Sequence, residues 1–226
     1  MSWDYFADPR PDVQALVVAT GKRFLDVGCG GGALAAELKA AGAARVAGIE
    51  ANPAAAALAR EHLDTLVEGS VLEVPLPFVA GDFDYVIFAD VLEHLIDPAA
   101  AIRRCVEYLA PGGRVVVSVP NMRFYLILLR LMVDRWAYTD AGIRDRTHVR
   151  IFTRRSLMHL LATAGLEVER LERNYRLVED QSHIGRLGAL ATRLTRATIA
   201  PLLFRDLMAY QYLAIARRAG DPTEHR

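Results

Sequence analysis

Cysteine and lysine are nearly absent from this chain. Cys29 and Cys105 are the only cysteines in 226 residues, too few to staple a small secreted scaffold. Lysine occurs only at Lys22 and Lys39, so arginine carries almost all of the positive charge. Net charge is missing too: 27 basic and 27 acidic side chains cancel. That balance argues against a general nucleic-acid coat or an acidic solvating tail. No apolar run approaches the ~18–20 residues that cross a bilayer. The longest candidate, Phe124 to Leu129, is bracketed by Arg123 and Arg130. Met1 to Asp8 is acidic and aromatic, with neither a basic n-region nor an apolar h-region, so no secretory signal is read there and a cytoplasmic location is expected.

What is present is core material. Hydrophobic residues make up 53% and charged residues 24%, a composition that folds rather than one that stays disordered. At ~150 residues per domain, residues 1–226 read as a single domain, with insertions expected at about 121–150 and 175–205. The cancelled charge hides an asymmetry. Residues 1–120 carry nine basic and sixteen acidic side chains, whereas 121–226 carry eighteen and eleven. An anionic partner is therefore sought in the second half.

Strand-like and helix-like segments alternate, the pattern of an α/β fold with a mainly parallel sheet. Strands are predicted at Arg23 to Val27, Arg45 to Glu50, Thr65 to Glu68, Phe83 to Ala89, Arg114 to Val119, Leu166 to Leu171 and Tyr210 to Ala216. The run Phe83 to Ala89 is apolar almost throughout, as a strand covered on both faces should be. Asp97-Pro98 opens a helix with an N-cap and a proline at its first position. Its apolar residues Ile102, Cys105, Val106 and Leu109 fall at i, i+3, i+4 and i+7, which makes Cys105 a core residue. A second marked helix starts after Thr153 and stops at Gly165.

The central motif is Asp26-Val27-Gly28-Cys29-Gly30-Gly31-Gly32, between the first strand and the first helix. Glycines there permit a tight turn and let a ligand approach the backbone and the helix N-terminus. Glu50 ends the next strand, 22 residues after Gly28, where a carboxylate can accept hydrogen bonds from the ribose of an adenosine cofactor. Two cofactors satisfy this much. Gly28, Gly30 and Ala33 match the dinucleotide fingerprint, so NAD is one. Asp26 favours the other: beside a pyrophosphate it is repelled, whereas the ammonium and sulfonium of S-adenosylmethionine attract it.

With Gly48-Ile49-Glu50, Phe83-Asp84-Tyr85-Val86-Ile87-Phe88-Ala89-Asp90-Val91-Leu92-Glu93-His94-Leu95 and Leu109-Ala110-Pro111-Gly112-Gly113 added to the loop, the chain resembles the class I S-adenosylmethionine-dependent methyltransferases. The resemblance is strong from Phe24 to Val119. It implies a three-layer α/β/α, doubly wound sheet of seven strands, mostly parallel, with the last strand antiparallel. It assigns Gly28, Gly30 and Gly32 to the methionine end of the cofactor, Asp26 to its amino group and Glu50 to its ribose. Ser70 stands where an adenine-contacting acid is common, and Asp90 belongs to the cofactor side.

Methyl transfer aligns a nucleophile with the sulfonium methyl and excludes water. A hydroxyl acceptor also needs a base near neutral pKa, usually a histidine. Two of the six histidines qualify. His148 lies in Asp145-Arg146-Thr147-His148-Val149-Arg150-Ile151-Phe152-Thr153, which resembles a segment of small bacterial methyltransferases. There Asp145 is expected to orient the ring and raise its basicity, and Arg144 and Arg146 to position the acceptor. His94 is the second choice. His62 and His159 read as surface, His225 as tail and His183 as ambiguous. No metal is assigned, because Glu93 and His94 lack a third ligand at recognisable spacing. The expected reaction is methylation of a small-molecule acceptor, a hydroxyl before an amine, with an anionic or sugar-type metabolite in view. The alternatives are a non-catalytic cofactor-binding subunit and an NAD-dependent oxidoreductase. No nucleic-acid partner is expected; the basic and apolar insertions suit a peripheral membrane contact or a homodimer.

Overall fold

The computed structural model describes residues 8–176 and 205–221. The second insertion therefore falls almost entirely outside the described residues, as do His183 and His225. The rest forms one mixed sheet of seven strands: β1 (Arg23–Val27), β2 (Arg45–Glu50), β3 (Thr65–Glu68), β4 (Phe83–Ala89), β5 (Leu109–Pro120), β6 (Leu166–Tyr175) and β7 (Ala209–Arg218). Their order is β3-β2-β1-β4-β5-β7-β6. β7 runs antiparallel to both of its neighbours, and the other pairings are parallel. The order reverses between β1 and β4, which is where α/β sheets bind ligands at their carboxyl edge.

The period-two pattern of the central strands explains why both faces are covered. On β4, Phe83, Val86 and Phe88 join one apolar core while Tyr85 and Ile87 join the other. On β1, Leu25 and Val27 face the first core and Phe24 the second. Helix α2 (Ala33–Ala40) packs Leu34, Ala35 and Leu38 on the second core. The first core receives α4 (Pro98–Val106) through Ile102 and Cys105, and α6 (Arg154–Thr163) through Leu157 and Leu161. Cys105 is fully buried, as its helical spacing predicts, and burial pushes its thiol up to about 12. Two short segments complete the order here: α1 (Pro11–Gln14) and α3 (Pro53–Ala59).

Caps fall where the side chains allow. Asn52 caps α3, Asp97 caps α4, and Thr153 forms a reciprocal capping box with Ser156 at α6. One strand differs from expectation. β5 already pairs at Leu109 with Phe83, and Pro111-Gly112-Gly113 form an irregularity inside it rather than a turn before it. Gly112, at φ 72°, absorbs the extra length of chain. In the first insertion, α5 (Tyr125–Met132) packs Phe124 and Ile127 against Ile143 and Tyr210. The last described helix, α7 (Arg205–Met208), leads directly into β7.

Candidate active site

Two adjoining cavities open at the carboxyl edge of the sheet. The larger, about 700 Å³, is lined by Asp26, Gly28, Gly30, Glu50, Ser70 and His94. Gly28 adopts φ 72°, and a Cβ there would run into the Val91 side chain, so conformation and space both require glycine. Glu50 is pinned in place: Oε2 accepts from the Gly30 N–H at 2.8 Å and Oε1 from the Asn52 N–H at 2.7 Å. Each oxygen keeps a lone pair for a further donor, as a ribose contact requires. Asp26 is only 2% exposed. Burial holds its carboxyl up at about 7, with Arg10 opposing that rise and Glu50 adding to it. A buried acid on a cavity wall is a receptor for a cation, and an ammonium group fits it.

Two assignments shift, those of Gly32 and His62. Gly32 (φ 82°) starts α2 and lies outside the cavity lining. Its missing Cβ makes room for His62, which is half-buried beneath it rather than on the surface. Ser70 does line the cavity, and its hydroxyl also accepts from the Leu72 N–H at 3.3 Å, holding the turn after β3. Cys29 is buried, and burial beside Asp26 and Glu50 pushes its thiol far above the ordinary range, so it is a packing residue without nucleophilic character.

The smaller cavity, 220 Å³, is lined by Glu93, His148, Asn174, Arg176, Tyr210 and Gln211. The two cavities share Asp8, Arg10 and Asp90. At that junction Asp90, in the left-handed region at φ 57°, accepts from Arg10 Nη1 at 2.9 Å, from Ser118 Oγ at 3.1 Å and from Gln211 Nε2 at 2.9 Å. Arg10 also grips Asp12 through Nε at 3.0 Å and Ser118 through Nη2 at 2.9 Å. Asp90 thus borders both cavities, with its carboxylate held in a network. Arg10, Asp12, Ser118, Asn174 and Gln211 carry no signal at fixed spacing; Gln211 lies 121 residues from Asp90. The pairing of β7 with β5 and β6 brings Ser118, Gln211 and Asn174 together, and the segment before α1 lays Arg10 and Asp12 against them.

His148 lines the smaller cavity and His94 the larger one, with ring centroids 4.8 Å apart. His148 Nδ1 lies 3.3 Å from the Ile143 carbonyl, which selects the tautomer with Nδ1 protonated and Nε2 available. Asp145 does not orient this ring. Its Oδ1 accepts instead from the Thr147 N–H at 2.8 Å and hydroxyl at 2.6 Å, while Thr147 Oγ1 contacts His94 Nδ1 at 3.0 Å. Nor is the basicity of His148 raised: burial, then His94, hold its pKa below the ordinary 6.5 despite Asp145. The two arginines fare differently from expectation. Arg144 donates to the Ala137 carbonyl and lines neither cavity, whereas Arg146 borders the larger cavity and pairs with Asp140 at 2.6 Å. Arg176 is the arginine that reaches the smaller cavity besides Arg10, stacked 4.1 Å over Tyr210.

Glu93 is 1% exposed, its Oε2 has no hydrogen-bond partner among the described residues, and burial and then Asp90 push its carboxyl well above the usual range. Its Oε1 lies 4.0 Å from His148 Nε2. The third ligand that spacing did not reveal is His148: one donor atom each from Glu93, His94 and His148 lie within 4.8 Å of one another. Such a set has the composition to hold a divalent cation.

The profile of the methyltransferase domain family matches residues 4–171. The chain belongs to the class I S-adenosylmethionine-dependent methyltransferases. A curated relative from Alkalilimnicola ehrlichii, named ubiquinone biosynthesis O-methyltransferase, is 34% identical over 183 residues, covering 75% of this chain and 73% of that protein. One of the same name from Aromatoleum aromaticum is 33% identical over 157 residues, covering 67% and 66%. Among solved structures, an S-adenosylmethionine-dependent methyltransferase from Archaeoglobus fulgidus superposes with a TM-score of 0.63 at 18% identity, covering 92% of this chain and 91% of that one, a likeness of fold. The methyltransferase's cofactor is S-adenosylmethionine, and the dinucleotide alternative falls. Asp26, Gly28, Gly30 and Glu50 together line the larger cavity. Among the described residues, no helix of the methyltransferase is long and apolar enough to cross a membrane.

Proposed function

We propose that this methyltransferase moves the cofactor's methyl group onto a hydroxyl of a small molecule, with His148 as general base. The observation that carries the reading is the position of His148 on the wall of the smaller cavity, with Nδ1 committed to Ile143 and Nε2 left to take a proton. The bound cofactor supplies a methyl group on a positively charged sulfur. The protein's part is alignment and proton removal. As the acceptor oxygen forms its bond to carbon, its proton passes to His148 Nε2. The relatives' name supports the O-methyl reading over an amine acceptor. Support for an anionic acceptor rests on Arg176, since Arg144 lines neither cavity. Mass spectrometry of the enzyme with S-adenosylmethionine and catechol tests the reading. It expects a methyl ether and S-adenosylhomocysteine in equal amounts; no transfer to any hydroxyl acceptor would favour a non-catalytic binding subunit.

The reading includes a peripheral membrane contact rather than self-association. After Ile127 turns inward, α5 and the chain beyond it present Leu129, Leu131, Met132, Val133, Trp136 and Tyr138 to solvent, with Met132 81% exposed. Arg123 and Arg135 flank them, the mixture of apolar, aromatic and basic groups that suits an anionic lipid surface. Flotation with phosphatidylglycerol vesicles at low salt should carry the protein upward, and Met132→Glu should abolish it.

A further inference from the structure

The junction between the cavities holds a surplus of acid. Asp8, Asp12, Asp26, Asp90 and Glu93 all line one cavity or the other. Burial holds Asp26 and Glu93 toward their neutral forms, so an acceptor oxygen that sheds its proton there becomes an anion in a site of low dielectric and depends on a positive group at the junction. Arg10 is the cation at the same place. It is 8% exposed, borders both cavities, and belongs to a segment that crosses the sheet edge ahead of α1. Its backbone is in the left-handed region, φ 52°, unusual for a side-chain-bearing residue. Its N–H is anchored on Asp8 Oδ1 at 2.9 Å, and its guanidinium on Asp12, Asp90 and Ser118. Burial works against its charge, but Asp90 and Asp12 outweigh burial and hold it protonated at any working pH.

A guanidinium has five N–H donors. Four are engaged: Nε and one on Nη2 with Asp12, the other on Nη2 with Ser118, and one on Nη1 with Asp90. The fifth, on Nη1, has no partner among the described residues. Resting on the hydroxyl-acceptor reading above, we infer that Arg10 is the residue that receives the ionising acceptor oxygen, offering its remaining N–H and its charge at the point where the two cavities meet. Asp12, Asp90 and Ser118 fix the fork, so that the donor is already oriented when charge develops on the oxygen. His148 takes the proton; Arg10 holds the oxygen that lost it. The proton count balances, and no further reactant is needed.

The test reads the ionisation of a bound acceptor. 4-Nitrocatechol changes its visible absorbance when a hydroxyl ionises, so its titration is followed on the enzyme saturated with S-adenosylhomocysteine, with and without EDTA. The wild-type protein should shift the bound ionisation equilibrium toward the anion by at least tenfold, EDTA or not. Arg10→Met should remove most of that shift, and Arg10→Lys should retain part of it. Melting temperature and S-adenosylhomocysteine affinity, measured on both variants, show that they are folded. Rates with 4-nitrocatechol, catechol and 4-methylcatechol add an independent readout. The Met variant should lose most on the least acidic hydroxyl, whereas a merely structural role lowers all three alike. Binding without a shift in the wild type, or a uniform loss across the series, overturns the inference while the function stands. A shift that EDTA abolishes transfers the pull to a cation on Glu93, His94 and His148, and also overturns it. If 4-nitrocatechol neither binds nor is methylated, the hydroxyl-acceptor reading fails and takes the inference with it.

Discussion

Replacing Asp26 with asparagine removes a charge while keeping the shape of the side chain, and its consequence depends on pH. Burial holds this carboxyl up at about 7 in the empty site. In the ligand-free protein the sign is unfavourable for folding. As pH rises from the unfolded value of 3.8 toward about 7, the unfolded chain gives up its proton while the folded one keeps it, so stability falls through that window. Cofactor binding reverses the preference, because an ammonium beside Asp26 favours the carboxylate. Affinity then follows the ionised fraction of Asp26. With a midpoint near 7, that fraction grows about tenfold between pH 6 and pH 8, equivalent to about 1.4 kcal/mol of binding free energy. Isothermal titration with S-adenosylhomocysteine in buffers of different ionisation enthalpy measures both the affinity and the released proton. Asp26→Asn should bind weakly at all pH values, with a flat profile and no proton release. A flat wild-type profile would refute the reasoning, as would an Asn variant that kept the slope, which would assign the titration to another group.

The remaining predictions concern the base, the loop and a cap. His148→Ala should leave S-adenosylhomocysteine affinity unchanged and lower turnover by about a hundredfold. Because the pKa of His148 lies below 6.5, the neutral base is present at lower pH than for an ordinary histidine. The wild-type rate should therefore rise with pH and level off in a limb centred below 6.5, and the alanine variant should lack that limb. Gly28→Ala places a Cβ into Val91 at a positive φ; it should cost about 1–3 kcal/mol in denaturant titrations and abolish cofactor binding. Thr153→Ala removes the capping box of α6 and should cost about 1 kcal/mol, seen as a drop of about 2–4 °C in Tm.

How much of this was legible in the chain follows the range of the interaction involved. Local rules placed β1 through β4 to the residue, because an apolar strand between turn residues is decided by its own neighbours. They placed Cys105 in the core, Thr153 and Asp97 at caps, and Asp26, Gly28, Gly30 and Glu50 around one cavity, since all four lie on consecutive strand ends within 25 residues. They misjudged the start of β5, where the register against β4 outweighed the turn propensity of Pro111-Gly112-Gly113. They also misjudged what Asp145 and Arg144 do. Asp145 and Arg144 were read from proximity along the chain, whereas side-chain direction depends on what lies alongside, Thr147 and the Ala137 carbonyl; Gly32 was assigned through the family resemblance, and its missing Cβ instead makes room for His62.

The sequence by itself determined the order of elements, the mainly parallel α/β sheet and the glycine loop at its edge, because these rest on hydrophobic period and on glycines that no other residue can replace; the doubly wound order came with the family resemblance. The tertiary structure alone decided the acceptor side. Asn174 and Gln211 reach Asp90 and Ser118 because β7 inserts antiparallel between β5 and β6, carrying Gln211 to the end of β5, and the segment before α1 brings Arg10 onto the same carboxylate. Likewise Glu93, His94 and His148 converge because the backbone N–H groups of Val149 and Arg150 both donate to the Glu93 carbonyl at 2.9 Å, folding the 140s segment back onto the turn after β4. Contacts between residues 50 to 120 positions apart leave no periodicity in a sequence; they exist only once the sheet has been assembled.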